Sequence, residues 1–166
     1  MAYEYRPFQV EKWISRFYYK IGIVNPEDID ERTITKHLGI HLTYKEKRSF
    51  SAEDGQFKLI NIDSRLSGQE QREHFYHELC HVLRHYGSQL LMPKAFIELQ
   101  EFDAKRFTRY AAIPFDMLKL FDLKSPYIVQ NMAYRFNISE KICKERLDGI
   151  HRNKKPKKDI SMIEYL

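Results

Sequence analysis

Apolar positions recur at helical spacing through most of the chain and at strand spacing in two stretches. In FQVEKWISRFYYKI (8–21), Phe8, Trp13, Phe17 and Ile21 fall at roughly helical intervals, which predicts an amphipathic helix. NPEDIDERTITKHLG (25–39) puts a proline and acids first and a glycine last, the polarity of a short second helix. IHLTYKE (40–46) alternates in part and predicts a strand. QFKLINID (56–63) predicts another, with Phe57 and Leu59 on one face and Ile60 and Ile62 on the other. SAEDG (51–55) is turn chemistry, so these strands are expected to form a hairpin or short sheet connected near 47–55.

The rest reads as helix. SGQEQREHFYHELCHVLRHYG (67–87) has no internal proline, a serine placed to cap it and a glycine placed to stop it. SQLLMPK connects it to a helix over 95–113, halted before Pro114. A short helical piece follows at FDMLKLFDL. Two helices, 125–137 and 139–152, then flank a tight turn, each with a serine in capping position.

Composition narrows the class. A chain of 166 residues, 43% hydrophobic and 31% charged, can bury a core as one domain. Its two cysteines, Cys80 and Cys143, are too few for a disulfide-framed secreted domain. The N-terminus lacks an apolar signal region, and no run approaches the length of a membrane span. A cytoplasmic protein without a membrane partner is expected. The net charge of +5 is moderate, and part of it sits in HRNKKPKKDI, which reads as a solvated terminus.

The chemistry concentrates at His77-Glu78-Leu79-Cys80-His81. On a helix, residues four apart are displaced by about 40° and about 6 Å, so both imidazoles project from one face. They can then share one ion, with zinc–nitrogen distances of about 2.0–2.1 Å. Glu78 lies beside that face, within reach of a water that the metal would activate. Two ligands and a base in one turn signal metallopeptidase chemistry; a histidine-rich surface helix would carry the same letters without it. A third ligand is needed. His85 stands about 12 Å along a straight helix from His77 and cannot reach the same ion, and His74 fails similarly. The carboxylates of the 95–113 helix remain: Glu98, Glu101 and Asp103.

HELCHVLRH (77–85) resembles the H-E-L-G-H-x-L-L-H helix of the ImmA/IrrE-type metallopeptidases. Glu101-Phe-Asp-Ala104-Lys-Arg-Phe107, followed by an apolar run to Pro114, is similar to that family's E-x-x-A-x-x-F segment. IDERTITKHLGIHLTY (29–44) and MAYRFNISEKICKERL (132–147) resemble its opening and closing parts. The likeness spans about 25–150, which is expected to form the peptidase domain. An N-terminal helix within 1–24 packs on it, and a basic tail over 151–166 follows it.

The resemblance implies an α+β, zincin-like fold, mostly helical with a small β-sheet. It implies His77, His81 and Glu101 as metal ligands and Glu78 as general base, around one zinc ion that manganese or iron can replace. His85 and Asp103 are then expected behind the ligands as hydrogen-bond partners. Cys80 stands where the family commonly has glycine, either approaching the metal site or buried and inert. It also implies cleavage of a cytoplasmic helix-turn-helix repressor, often encoded on a prophage or mobile element. In such peptidases an edge strand can hold an extended substrate, a role expected for 56–63 through Phe57, Leu59 and Asn61. The competing class is a regulator that binds DNA through the 125–137 and 139–152 pair, or binds a repressor without cutting it. Direct nucleic-acid contact is not expected, because the apolar positions of that pair suffice for simple packing.

Overall fold

The computed structural model describes residues 3–85 and 91–156. The chain opens with β1 (Tyr3–Tyr5) and α1 (Gln9–Lys20), passes a 3-10 turn at Pro26–Asp28, and enters α2 (Glu31–Leu38). Strands β2 (His41–Lys45), β3 (Phe50–Asp54) and β4 (Phe57–Asp63) precede α3 (Gly68–Arg84) and α4 (Lys94–Ala112). A second 3-10 turn (Phe115–Leu120), α5 (Ile128–Phe136), α6 (Glu140–Arg152) and β5 (Lys154–Pro156) complete it. The fold is α+β, helices with a small sheet, as the patterning predicts.

The sheet runs in the order β2-β4-β3. β4 pairs in parallel with β2, His41 opposite Leu59 and Lys45 opposite Asp63. It pairs antiparallel with β3, Phe50 opposite Asn61 and Asp54 opposite Phe57. This corrects two expectations. Residues 50–54 are a strand, not a turn, and the hairpin turn lies at Gly55, whose φ of 59° suits a residue without Cβ. β4 is therefore the central strand, so Phe57, Leu59 and Asn61 present no free edge to a substrate. Asn61 is buried, and its amide accepts from the Thr43 hydroxyl at 2.8 Å and donates to the Lys47 carbonyl at 3.2 Å. β3 escaped notice because it is an exposed edge: SAED carries no buried alternation.

Ile60 and Ile62 of β4 point into the core, where α3 meets the sheet with Phe75, Tyr76 and Leu79. α3 starts where its sequence predicts. The Ser67 hydroxyl accepts from the Glu70 amide at 3.3 Å, and the Glu70 carboxylate accepts from the Ser67 amide at 3.0 Å. Arg72 fixes its roll. It donates to Glu31 of α2 at 2.8 Å and to the Phe136 and Ile29 carbonyls at 2.8 and 3.0 Å. Glu73 accepts from the Ser139 amide at 2.7 Å and so ties α3 to the start of α6. α3 ends at Arg84, earlier than expected, and the glycine stop at 87 lies outside the described residues.

α1 is amphipathic, and half of the expected apolar set holds: Phe17 and Ile21 pack against the core, while Phe8 and Trp13 stay partly exposed and the buried positions are Glu11, Ile14, Ser15 and Tyr18. Glu11 belongs to a buried ion pair. Glu11 Oε1 lies 2.6 Å from Arg146 Nη2, with the two side chains 1% and 2% exposed. The Ile113 carbonyl and the Tyr5 hydroxyl also accept from Arg146, and Tyr5 and the Phe8 amide donate to Glu11. This network joins α1, α6 and the end of α4. Of the basic tail, His151 and Arg152 close α6 and Lys154–Pro156 form β5, antiparallel to β1; 157–166 lie outside the described residues. Removing one charge leaves the other buried alone. Arg146→Met should lower unfolding free energy by about 3–5 kcal/mol, and Glu11→Leu added to it should restore most of the loss. Urea melts of the single and double variants check this.

Candidate metal centre

α3 carries His77 and His81 one turn apart, and α4 crosses it so that Glu101 reaches both. Glu101 Oε2 lies 3.0 Å from His77 Nε2, and Oε1 lies 3.2 Å from His81 Nε2. The two Nε2 atoms are 3.2 Å apart. Donor atoms on a tetrahedral ion at about 2.0–2.1 Å stand about 3.3–3.4 Å from one another. The Nε2–Nε2 separation lies close to that spacing, and each imidazole has its own Glu101 oxygen at a similar distance, so this donor set fits a small divalent cation. Ala104, fully buried, follows Glu101 by one turn, and Cys80 of α3 has its Sγ 3.8 Å from Asp103.

Burial lowers the pKa of both histidines below the ordinary 6.5, with Glu101 pulling the other way. At neutral pH the imidazoles are therefore uncharged, the form in which a ring nitrogen can serve as a ligand. Glu78 lies beside His77 on the wall of a cleft of about 420 Å³, and its carboxylate has no hydrogen bond or ion pair among the described residues. Arg48, Ser49, Lys105 and Lys141 line the same cleft.

Behind the ligands lies a second group. α3 has ended by His85, whose backbone is extended, and its ring folds back so that Nδ1 is 2.9 Å from His81 Nδ1. His85 Nε2 is 3.0 Å from Asp103 Oδ2. Arg84 donates to both oxygens of Asp103, at 2.8 and 3.2 Å. Burial pushes the Asp103 pKa up, but these hydrogen bonds outweigh it and hold the carboxyl below its usual range. Burial, with Asp103 nearby, pushes the Cys80 thiol up to about 12. Cys80 therefore stays a protonated thiol, buried and inert at neutral pH.

Of the alternatives for a third ligand, Glu98 is exposed and sits 3.7 Å from Lys94, while Asp103 is committed to Arg84 and His85. Sequence reasoning missed Arg84. A cation in the last turn of a helix reads as dipole compensation, and nothing in the spacing pairs it with an acid on another helix. It also missed Lys105 and Lys141, which look like ordinary solvated charges until α4 and α6 bring them to one cleft.

A small sheet, a helix offering paired imidazoles and a crossing helix offering a carboxylate define a zincin-like domain of the metallopeptidase class. The family model for the IrrE N-terminal-like domain, peptidase family M78, matches residues 30–148, and the chain belongs to that family. It is 35% identical over 152 residues to the uncharacterized protein YqaB of Bacillus subtilis (strain 168), covering 89% of this chain and 87% of that one. It is 33% identical over 148 residues to the phage-like element PBSX protein XkdA of the same organism, covering 87% and 74%.

Two measurements test the donor set. Glu101→Ala should lower zinc affinity by about 100-fold or more in a chelator competition, whereas Glu98→Ala should leave it within about twofold. Zinc should also stay bound to the unaltered protein as pH falls to 6.5, since both imidazoles lose their protons below that value.

Proposed function

We propose that the protein is a zinc-dependent endopeptidase that cuts a cytoplasmic helix-turn-helix repressor and so relieves transcriptional repression. The observation that carries the hydrolase reading is the convergence of His77, His81 and Glu101 within 3.2 Å, with the Glu78 carboxylate alongside on the cleft wall. When bound, a divalent cation supplies Lewis acidity and lowers the pKa of a water from about 15.7 towards about 7. His77, His81 and Glu101 hold that cation. Glu78 accepts the proton of the attacking water and passes it to the departing amine, while the water oxygen bonds to the carbonyl carbon and the C–N bond breaks. Two imidazoles and a carboxylate suit zinc, and manganese or iron fit the same donors.

The repressor substrate rests on the family resemblance and on the phage-like element named for one relative. The cytoplasmic setting is supported by free, buried Cys80 and Cys143, which need no oxidising compartment. No helix among the described residues is long and apolar enough to cross a membrane. An extended substrate has an edge to pair with at β3, because Arg48 and Ser49, immediately before it, line the cleft that holds Glu78. The DNA-binding reading draws no comparable support. Met132, Phe136, Cys143 and Ile150 of α5 and α6 are spent in the core, and Lys141 turns to the same cleft.

Incubating the zinc-loaded protein with a repressor encoded beside it tests the reading. Fragments should appear and should vanish with chelator. Glu78→Gln should bind zinc as tightly as the unaltered protein yet cut at least about 1,000-fold more slowly; unimpaired cutting would remove Glu78 from its role. Separately, proline at Ala52 in β3 should cut repressor cleavage at least about tenfold if pairing at that edge sets substrate register, and unchanged cleavage would reject the edge.

A further inference from the structure

The hydrogen bonds behind the paired imidazoles form one line: Arg84 to Asp103, Asp103 to His85, His85 to His81. It begins at the acid. Asp103 Oδ2 accepts from Arg84 Nε at 2.8 Å, and a carboxylate only accepts, so His85 Nε2 at 3.0 Å must carry a proton and donate it. His85 Nδ1 and His81 Nδ1 lie 2.9 Å apart, so one proton is shared between them. Carried by His81, that proton leaves the His81 lone pair on Nε2, the atom 3.2 Å from Glu101 and from His77.

We propose that Asp103 and His85 are positioning residues: their hydrogen bonds fix the tautomer and rotation of His81 so that Nε2 meets the cation with a lone pair. Glu78 and the metal ligands do the chemistry, and this chain acts only through His81. The proposal rests on the metal-site reading given above. The residues involved admit another use, since Cys80, His85 and Asp103 stand close enough together to hold an ion of their own. Arg84 decides against it. Its guanidinium already supplies the positive charge at both Asp103 oxygens, and a second cation would have to displace it. The end of α3 matters equally. His85 caps α3 with an extended backbone, one turn beyond His81, and its ring lies against the His81 ring with centroids 4.9 Å apart.

The chain depends on the geometry of both ring nitrogens of His85, which a phenyl ring matches in size and lacks in chemistry. Three full-length variants should be compared with the unaltered protein: His85→Phe, His85→Asn and Asp103→Asn. Zinc affinity is read by competition with a chromophoric chelator. The His81 tautomer is read from histidine nitrogen–proton correlation spectra of metal-free protein carrying Glu101→Ala, which removes the carboxylate that otherwise accepts from His81 Nε2. In that background the His81 proton should sit on Nδ1, and adding His85→Phe should shift it towards Nε2. With Glu101 intact, His85→Phe should lower zinc affinity about 10–100-fold. His85→Asn retains an acceptor near the former Nδ1 and should recover part of that loss, and Asp103→Asn should fall between them. An Nε2 proton on His81 in the Glu101→Ala background, or His85→Phe with unchanged spectrum and affinity, would overturn the proposal. Failure of the unaltered protein to bind zinc would instead reject the metal site, while the metal-free spectrum would still decide the chain. Should His85→Phe not fold, His85→Asn and Asp103→Asn carry the same comparison.

Discussion

The crossing of α4 over α3 is the constraint on which the rest depends. It sets a carboxylate of one helix against two imidazoles of another, in a region where burial already disfavours charge on the rings. Packing between the two helices brings these donors together. Leu79 and Cys80 of α3 and Ala104 and Phe107 of α4 are all buried there. α3 cannot slide, because its Ser67 cap, the three contacts of Arg72 and the Glu73 bond to α6 all fix its position along and about its axis. Preorganisation of this kind concentrates the cost of assembling the centre in folding, leaving less to be met when a ligand arrives.

How much of this could be read from the letters follows from what each feature requires. The paired imidazoles and the carboxylate beside them are local: residues 77, 78 and 81 share a turn, so spacing alone defines their relation. Ser67 with Glu70 is equally local, and the start of α3 falls where that pair predicts. The third ligand is not local. Periodicity left Glu98, Glu101 and Asp103 open, and only the resemblance to a known family chose among them. The geometry separates the three by partners lying elsewhere in the chain, Lys94 for Glu98 and Arg84 for Asp103.

Two errors share one origin. SAED reads as a turn because its residues face solvent, and Phe8 and Trp13 read as buried because they are apolar, although only Phe17 and Ile21 of that set pack against the core. In both, side-chain polarity was read as burial. Glu11 is buried because Arg146 waits for it 135 residues further on, a partner that no pattern within a single helix can disclose. Mistaking β3 then led directly to the misplaced substrate strand, since a sheet of two strands would have left β4 at an edge. Register and order in a small sheet hinge on every strand being found.

Two clusters of similar donor chemistry lie within a few ångströms, and their neighbours give them different tasks. Asp103 has its positive charge supplied by the chain itself, through an arginine that grips both oxygens. That fixed charge makes Asp103 a permanent acceptor and orders the protons of His85 and His81 outward from it. Cys80, beside it, is kept as a thiol by burial and by the same carboxylate, so it neither competes for metal nor offers a nucleophile. A glycine at this position, common in the family that the sequence resembles, would leave the flank of α4 without that contact. The thiol fills the space without adding a charge, which leaves the polarity of the proton chain to Arg84 and Asp103 alone.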